Sequence, residues 1–197
     1  MPKLYYQGHG SYRITDNDGR VIYVDPYAGD GYDLPADIIL VTHQHQDHNQ
    51  IDRCAQKEDC VIFTNKEAIE AGGYMTCHID DADISIEAVE AYNDKHSVDE
   101  CVGFIITLDG VKIYASGDTS KTEQMATFAQ RKLDYAILCG DGRYNMGPAE
   151  AADCARLIGA KHNMLVHVMP GENIREIAEN WEAPNKLILG PGDEIDL

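Results

Sequence analysis

Three of the eight histidines fall within six residues, in the run Thr42-His43-Gln44-His45-Gln46-Asp47-His48. On an extended segment, residues two apart face the same side, so His43 and His45 are spaced to grip one metal ion together. Asp47 and His48 are adjacent and point in different directions, which suits the pair to a second metal nearby. Neutral imidazole and carboxylate are the donors that Zn²⁺, Mn²⁺ and Fe²⁺ accept at hydrolytic centres. A polar loop with capping residues would not need so many rings directly after the apolar run Ile38-Ile39-Leu40-Val41.

Three further residues can do the same chemistry but carry less signal alone. His96 lies in the polar stretch Asn93-Asp94-Lys95-His96-Ser97, where a solvated loop residue is the plainer reading. Asp118, in Ser116-Gly117-Asp118-Thr119, reads equally as a turn or cap residue. His167, between Val166 and Val168, fits a satisfied core histidine.

The H-x-H-x-D-H pattern of His43 to His48 resembles the metallo-β-lactamase-fold hydrolases, and the likeness extends over nearly the whole chain. Gly8-His9-Gly10-Ser11 followed by Val24-Asp25-Pro26 is similar to the subgroup that contains the ascorbate-phosphate lactonase and the N-acyl-phosphatidylethanolamine phospholipase. That subgroup usually reads G-H-A where this chain reads Gly8-His9-Gly10. The resemblance implies that His43, His45 and His96 hold a first metal. It implies a second metal on Asp47, His48 and His167, with Asp118 bridging both. Two cations ~3.5–4 Å apart can share a water and lower its pKa toward ~7, giving a hydroxide that attacks the substrate. Asp47 and Asp118 are then the catalytic carboxylates, Asp47 aiming the hydroxide through a hydrogen bond.

Other positions have two readings each. His9 touches substrate or supports a ligand, or it is a turn residue bonded locally. Asp25 orients a ligand histidine or holds a loop. Arg143, Tyr144 and Asn145 follow the strand-like run Tyr135 to Cys139 and are candidates for substrate contact, or a plain turn before Pro148. His78 and His162 match no motif and read as surface or loop residues. Cys139 reads as a buried structural thiol.

These residues need strands that end at one place. Lys3 to Gln7, Tyr12 to Thr15, Val21 to Val24, Asp37 to Thr42, Val61 to Thr64, Ile84 to Ala88, Tyr135 to Cys139 and Asn163 to Val168 read as strands. Cys101 to Leu108 and Val111 to Ala115 form a hairpin across Asp109-Gly110. Helices are expected over Asn49 to Gln56, Lys66 to Ala71 (stopped by Gly72-Gly73), Lys121 to Arg131 (capped by Thr119 or Ser120), Pro148 to Ile158 and Ile174 to Trp181. Strand runs with interspersed helices favour layered α/β with mixed sheets. With the resemblance, the expected fold is a four-layer αββα sandwich, two mixed β-sheets flanked by helices, as one domain over residues 1–197.

The 197 residues carry a formal net charge of −18, most of it necessarily on the surface. Such a surface repels nucleic acid and anionic lipid. It does not repel a small anion from a site where bound metal reverses the field. No apolar run is long enough to span a bilayer, no secretory signal opens the chain, and the six cysteines form no C-x-x-C pair, so a cytoplasmic protein with free thiols is expected. Homo-oligomerisation stays open. The sequence therefore points to a metal-dependent hydrolase of a small ester, lactone or phosphodiester, with zinc the first choice of metal and manganese or iron the others. The alternatives are a non-catalytic metal-binding protein and a diiron oxidoreductase. His45 argues against the diiron form, because such relatives carry Glu at its position.

Overall fold

A computed structural model describes residues 1–70, 73–79 and 82–197. The first-half strands are β1 (Lys3–Gly8), β2 (Ser11–Thr15), β3 (Val21–Val24), β4 (Ala36–Val41) and β5 (Gln56–Thr64). The single turn α1 (Asn65–Ala68) is followed by the short strands β6 (Ile69–Glu70), β7 (Gly73–Tyr74) and β8 (Thr76–Ile79). The second half holds β9 (Ile84–Glu90), β10 (Val102–Leu108), β11 (Val111–Ala115), β12 (Tyr135–Cys139), α2 (Pro148–Ile158), β13 (His162–Val166), α3 (Ile174–Asn180), β14 (Lys186–Leu187) and β15 (Glu194–Asp196).

Two mixed sheets result. One runs β15-β1-β2-β3-β4-β5 and the other β14-β13-β12-β11-β10-β9-β8, beside a small β6-β7 pair. In the first, β3, β4 and β5 are parallel; in the second, β11 through β14 are. Parallel strands are covered on both faces, which is why β3 and β4 read as unbroken apolar runs. Ile22, Val24, Ile38 and Leu40 enter the main core between the sheets. Val21, Tyr23, Ile39 and Val41 enter a smaller cluster on the opposite face with Cys54. Across the interface, the Phe63 ring of the first sheet lies 5.8 Å from Phe104 of the second.

The hairpin turn is as expected: β10 and β11 pair antiparallel, with Asp109 and Gly110 both at positive φ. The helix over Pro148–Ile158 has Pro in its first turn and Gly159 in the left-handed region after it. All six cysteines are free.

Four elements differ from expectation. Residues Asn49 to Gln56 form no α-helix but a 3₁₀ turn, Ile51–Arg53, and Gln56 already starts β5. This segment is tethered to the β3–β4 loop through Gln50 N–H to Pro26 O at 2.9 Å and Arg53 to Gly29 O at 2.7 Å. The outer face of the first sheet is thus covered there by loop and 3₁₀ turn. The helix expected over Lys66 to Ala71 is the one turn α1, held by a Thr64–Glu67 capping box. Its expected end at Ala71 and the stop at Gly72 lie outside the described residues. Lys121 to Arg131 is a 3₁₀ helix over Gln124–Arg131 with no side-chain cap. Thr119 is spent elsewhere, since its hydroxyl accepts from Tyr92 N–H at 3.0 Å. Finally, β13 stops at Val166, and His167 beyond it turns into the left-handed region at φ 53°.

Phe104 is fully buried at the sheet interface. Phe104→Ala is expected to cost about 3–5 kcal/mol of stability, read as a lower urea midpoint with an unchanged slope.

Candidate metal centre

All the cluster residues leave strand ends on one edge of the sandwich. His43, His45, Asp47 and His48 lie on the loop after β4, and Asp25 follows β3. From the second sheet, His96 follows β9, Asp118 follows β11, Asp141 follows β12 and His167 follows β13. The histidine run is a bent loop rather than the extended segment expected, yet it still turns His43 and His45 inward together.

Two sets of donors converge. In the first, His45 Nδ1 lies 3.1 Å from His43 Nε2 and 3.2 Å from His96 Nε2. In the second, His48 Nε2 and His167 Nε2 are 3.2 Å apart, with Asp47 Oδ2 4.0 Å from His167 Nε2. Asp118 stands between the sets. Its Oδ2 is 3.5 Å from His96 Nε2 and 3.9 Å from His43 Nε2. Its Oδ1 is 3.3 Å from His167 Nε2 and 3.4 Å from His48 Nε2.

Protons alone cannot satisfy this arrangement. A ring nitrogen carries one proton or one lone pair, so His45 Nδ1 cannot answer both His43 and His96. Asp118 Oδ1 is buried without a well-formed hydrogen bond, a costly state for a carboxylate. A cation in each set would satisfy every inward atom, so the residues fit a pair of divalent ions.

The outer nitrogens of three rings are hydrogen-bonded, and that of His167 faces a carboxylate without a well-formed hydrogen bond. His43 Nδ1 lies 3.1 Å from Thr42 Oγ1, and His48 Nδ1 lies 2.8 Å from Asp25 Oδ2. His96 Nδ1 lies 3.0 Å from Asn93 Oδ1, and His167 Nδ1 lies 3.3 Å from Asp141 Oδ2. An oxygen at Nδ1 favours the tautomer that turns an Nε2 lone pair inward. Asp25 is itself fixed by Thr42, whose N–H and hydroxyl donate to it at 2.8 and 2.7 Å.

At His43 and His96 the charges favour the neutral ring, while His48 is drawn toward the protonated form by two carboxylates. Burial, reinforced by the neighbouring rings, pushes His43 down to about 2, and Asp118 only partly offsets it. Burial likewise lowers His96. At His48 burial acts downward, but the Asp118 and Asp25 carboxylates outweigh it and raise the ring. Burial would raise Asp118, yet His48 and His167 hold it well below the usual carboxylate range. The His9 hydrogen bond keeps Asp47 low and ionised.

His9, Asp25 and His167 all have positive φ, at 52°, 46° and 53°. Such backbone is costly for residues other than glycine and persists where the surroundings impose it. Here His167 N–H donates to His9 O at 2.9 Å, and the two rings lie 3.7 Å apart. His9 Nε2 lies 3.2 Å from Asp47 Oδ2.

The other residues singled out from sequence divide. Asn145 is buried and bonds Asp141 at 2.7 Å and Asn93 at 3.0 Å. Tyr144 lines a cleft of about 240 Å³ over the cluster with His45, Asp47, Lys95 and His96, whereas Arg143 is exposed beside it. His78 and His162 are exposed on β8 and β13, away from the cluster. Sequence reasoning missed the engagement of Thr42, Asn93 and Asp141. The one available signal was an aspartate between two glycines at a strand end, Gly140-Asp141-Gly142.

Residues 3–167 match the beta-lactamase superfamily domain. The chain belongs to that family. A UPF0173 metal-dependent hydrolase of Pyrococcus furiosus is 27% identical, with 100% of each chain covered. A candidate metal-dependent hydrolase of Parabacteroides distasonis, known from its crystal structure, is 30% identical. That match covers 89% of this chain and 86% of the other, with a TM-score of 0.74. Igni18, a metallo hydrolase of the archaeon Ignicoccus hospitalis, shares the fold with a TM-score of 0.77 at 20% identity, covering 98% and 97%.

In this superfamily member Gly117, whose φ is 59°, lies where the end of β11 meets residues of both sheets. A Cβ there would sit 2.8 Å from Val102 O and 2.9 Å from Thr42 Cβ. Gly117→Ala is expected to cost about 1–3 kcal/mol, seen as a lower denaturation midpoint, because a backbone oxygen cannot yield as a side chain can.

Proposed function

We propose that this protein is a metal-dependent hydrolase with a dinuclear site that cleaves a small ester, lactone or phosphodiester. His43, His45 and His96 would hold one divalent ion and Asp47, His48 and His167 the other, with Asp118 available to both. The observation that carries the reading is Asp118, whose two oxygens face different histidine pairs while one lacks a hydrogen bond. The nitrogen and oxygen donors suit zinc first, then manganese or iron. When bound, the ions supply Lewis acidity and a water of lowered pKa.

The chain's own residues do the rest. Thr42, Asp25, Asn93 and Asp141 hold the rings in orientation. Asp47 is ionised, tethered by His9 and open to the cleft, so it accepts a hydrogen bond from the attacking water and aims it, while the proton that water gives up ends on the departing oxygen. One bond forms from water oxygen to the carbonyl or phosphoryl centre, and the bond to the leaving oxygen breaks. The cleft of about 240 Å³ suits a small substrate. No helix among the described residues is long and apolar enough to cross a membrane.

Metal analysis of protein purified without added metal should find two divalent ions per chain, and a panel of lactones, esters and phosphodiesters should yield at least one substrate. Asp118→Ala is expected to abolish turnover and lower the metal content. Two full equivalents with unchanged rates in that variant would refute the assignment. Asp141→Asn, which weakens the hold on His167, is expected to lower metal affinity by about 10–100-fold, measured by competition with a chelator.

A further inference from the structure

Beside the metal cleft lies a second, larger hollow of about 460 Å³, lined by Asn93, Asp94, Lys95, Arg143, Tyr144 and Asn145, among others. The two spaces are adjacent, because Lys95 and Tyr144 line both. We propose that this hollow binds an oxyanion carried by the substrate, so that the preferred substrates are esters with a carboxylate or phosphate group a few bonds from the scissile bond. The inference rests on the hydrolytic reading above and names the substrate class for that site.

Charge is the first argument. The chain carries −18 overall, so an anion approaching most of its surface is repelled. In this hollow Lys95 and Arg143 face a single acid, Asp94, which leaves one positive charge in surplus. Neither cation pairs with a carboxylate among the described residues. Several other cations of the chain are already neutralised: Lys57 by Asp37, Arg131 by Glu87, Lys161 by Asp134 and Arg175 by Asp193.

Preorganisation is the second. The Arg143 guanidinium lies 5.3 Å from the Tyr144 ring centroid, which limits its freedom before any ligand arrives. Its loop is pinned by Asp141, whose Oδ1 accepts the N–H groups of Arg143 at 2.8 Å and Tyr144 at 2.6 Å. A guanidinium held this way offers a planar fork of donors that matches a carboxylate or phosphate. Asn93 and Asn145, bonded to each other at 3.0 Å, add neutral polar surface.

Placement is the third. Asn93 also holds His96, and Asn145 holds Asp141 beside His167. The hollow therefore abuts the supports of both donor sets, and an anion in it lies one residue away from the cleft where the bond would be cut.

The test compares metal-loaded wild type with Arg143→Glu and Lys95→Ala, both exposed positions. The substrates are mono-(4-nitrophenyl) glutarate and its neutral counterpart 4-nitrophenyl butyrate. Wild type should favour the anionic ester. The ratio of the two kcat/KM values should fall about tenfold or more in Arg143→Glu and fall in Lys95→Ala, mainly through KM for the anionic ester. A ratio unmoved in both variants overturns the proposal. If wild type hydrolyses neither ester nor any other member of the panel, the hydrolytic reading fails, and the hollow is judged by calorimetric titration instead. Glutarate tests the carboxylate and glycerol 3-phosphate the phosphate. Binding of either that Arg143→Glu weakens supports an oxyanion site; equal binding, or none to wild type, overturns it.

Discussion

Three imidazoles at the centre of this protein commit their outer nitrogen to an oxygen, on Thr42, Asp25 and Asn93, and a fourth, that of His167, turns its own toward Asp141. Each commitment fixes a ring plane and turns the other nitrogen toward a shared interior. His45 is the exception, presenting Nδ1 inward from the most exposed position of the set. The inward atoms are crowded and poorly satisfied by each other, and the buried Asp118 carboxylate stands among them. The protein thus concentrates unpaired donors in one place and keeps them there by hydrogen bonds made elsewhere.

Holding that arrangement falls to the sheet–sheet interface. Each donor set draws on both sheets: the loop after β4 supplies one side, and the ends of β9, β11 and β13 supply the other. Cross-links between the halves are short and local. His167 N–H meets the His9 carbonyl, and Val102 N–H meets the Thr42 carbonyl at 3.0 Å. Positive φ at His9, Asp25 and His167 marks where the backbone bends to make those meetings possible. Strain at these residues is offset by the apolar interface behind them, where Phe104, Ile106, Leu40 and Ile22 are all buried.

Much of this was legible in the sequence where the signal was local. The strands Val21–Val24 and Tyr135–Cys139 and the helix Pro148–Ile158 have the expected bounds, because apolar runs and glycine or proline punctuation define them unaided. The His43–His48 run announced itself by density alone. Failures came where tertiary contacts overrode local preference. Residues 49–56 have a helical pattern, but pairing with β4 claims Gln56 for β5. Thr119 looks like a cap, but Tyr92 across the fold takes its hydroxyl. Strands β14 and β15 are too short to stand out, and each exists only as a partner for a longer strand. Asn93 and Asp141 are ordinary loop residues in one dimension; their roles arise from ring nitrogens that folding brings to them.

The separation of the donors along the chain sets an order of assembly during synthesis. His45 and His96 are 51 residues apart, whereas His48 and His167 are 119 apart. Chains emerge from the ribosome N-terminus first, so the partners of His43 and His45 emerge well before the last partner of Asp47 and His48. Until residue 167 has emerged and β13 has docked, the second set lacks a member and Asp118 has only one pair of rings complete. A nascent chain therefore passes through a stage in which every donor of one set has been synthesised while the other still lacks a member, which the final third of the polypeptide supplies.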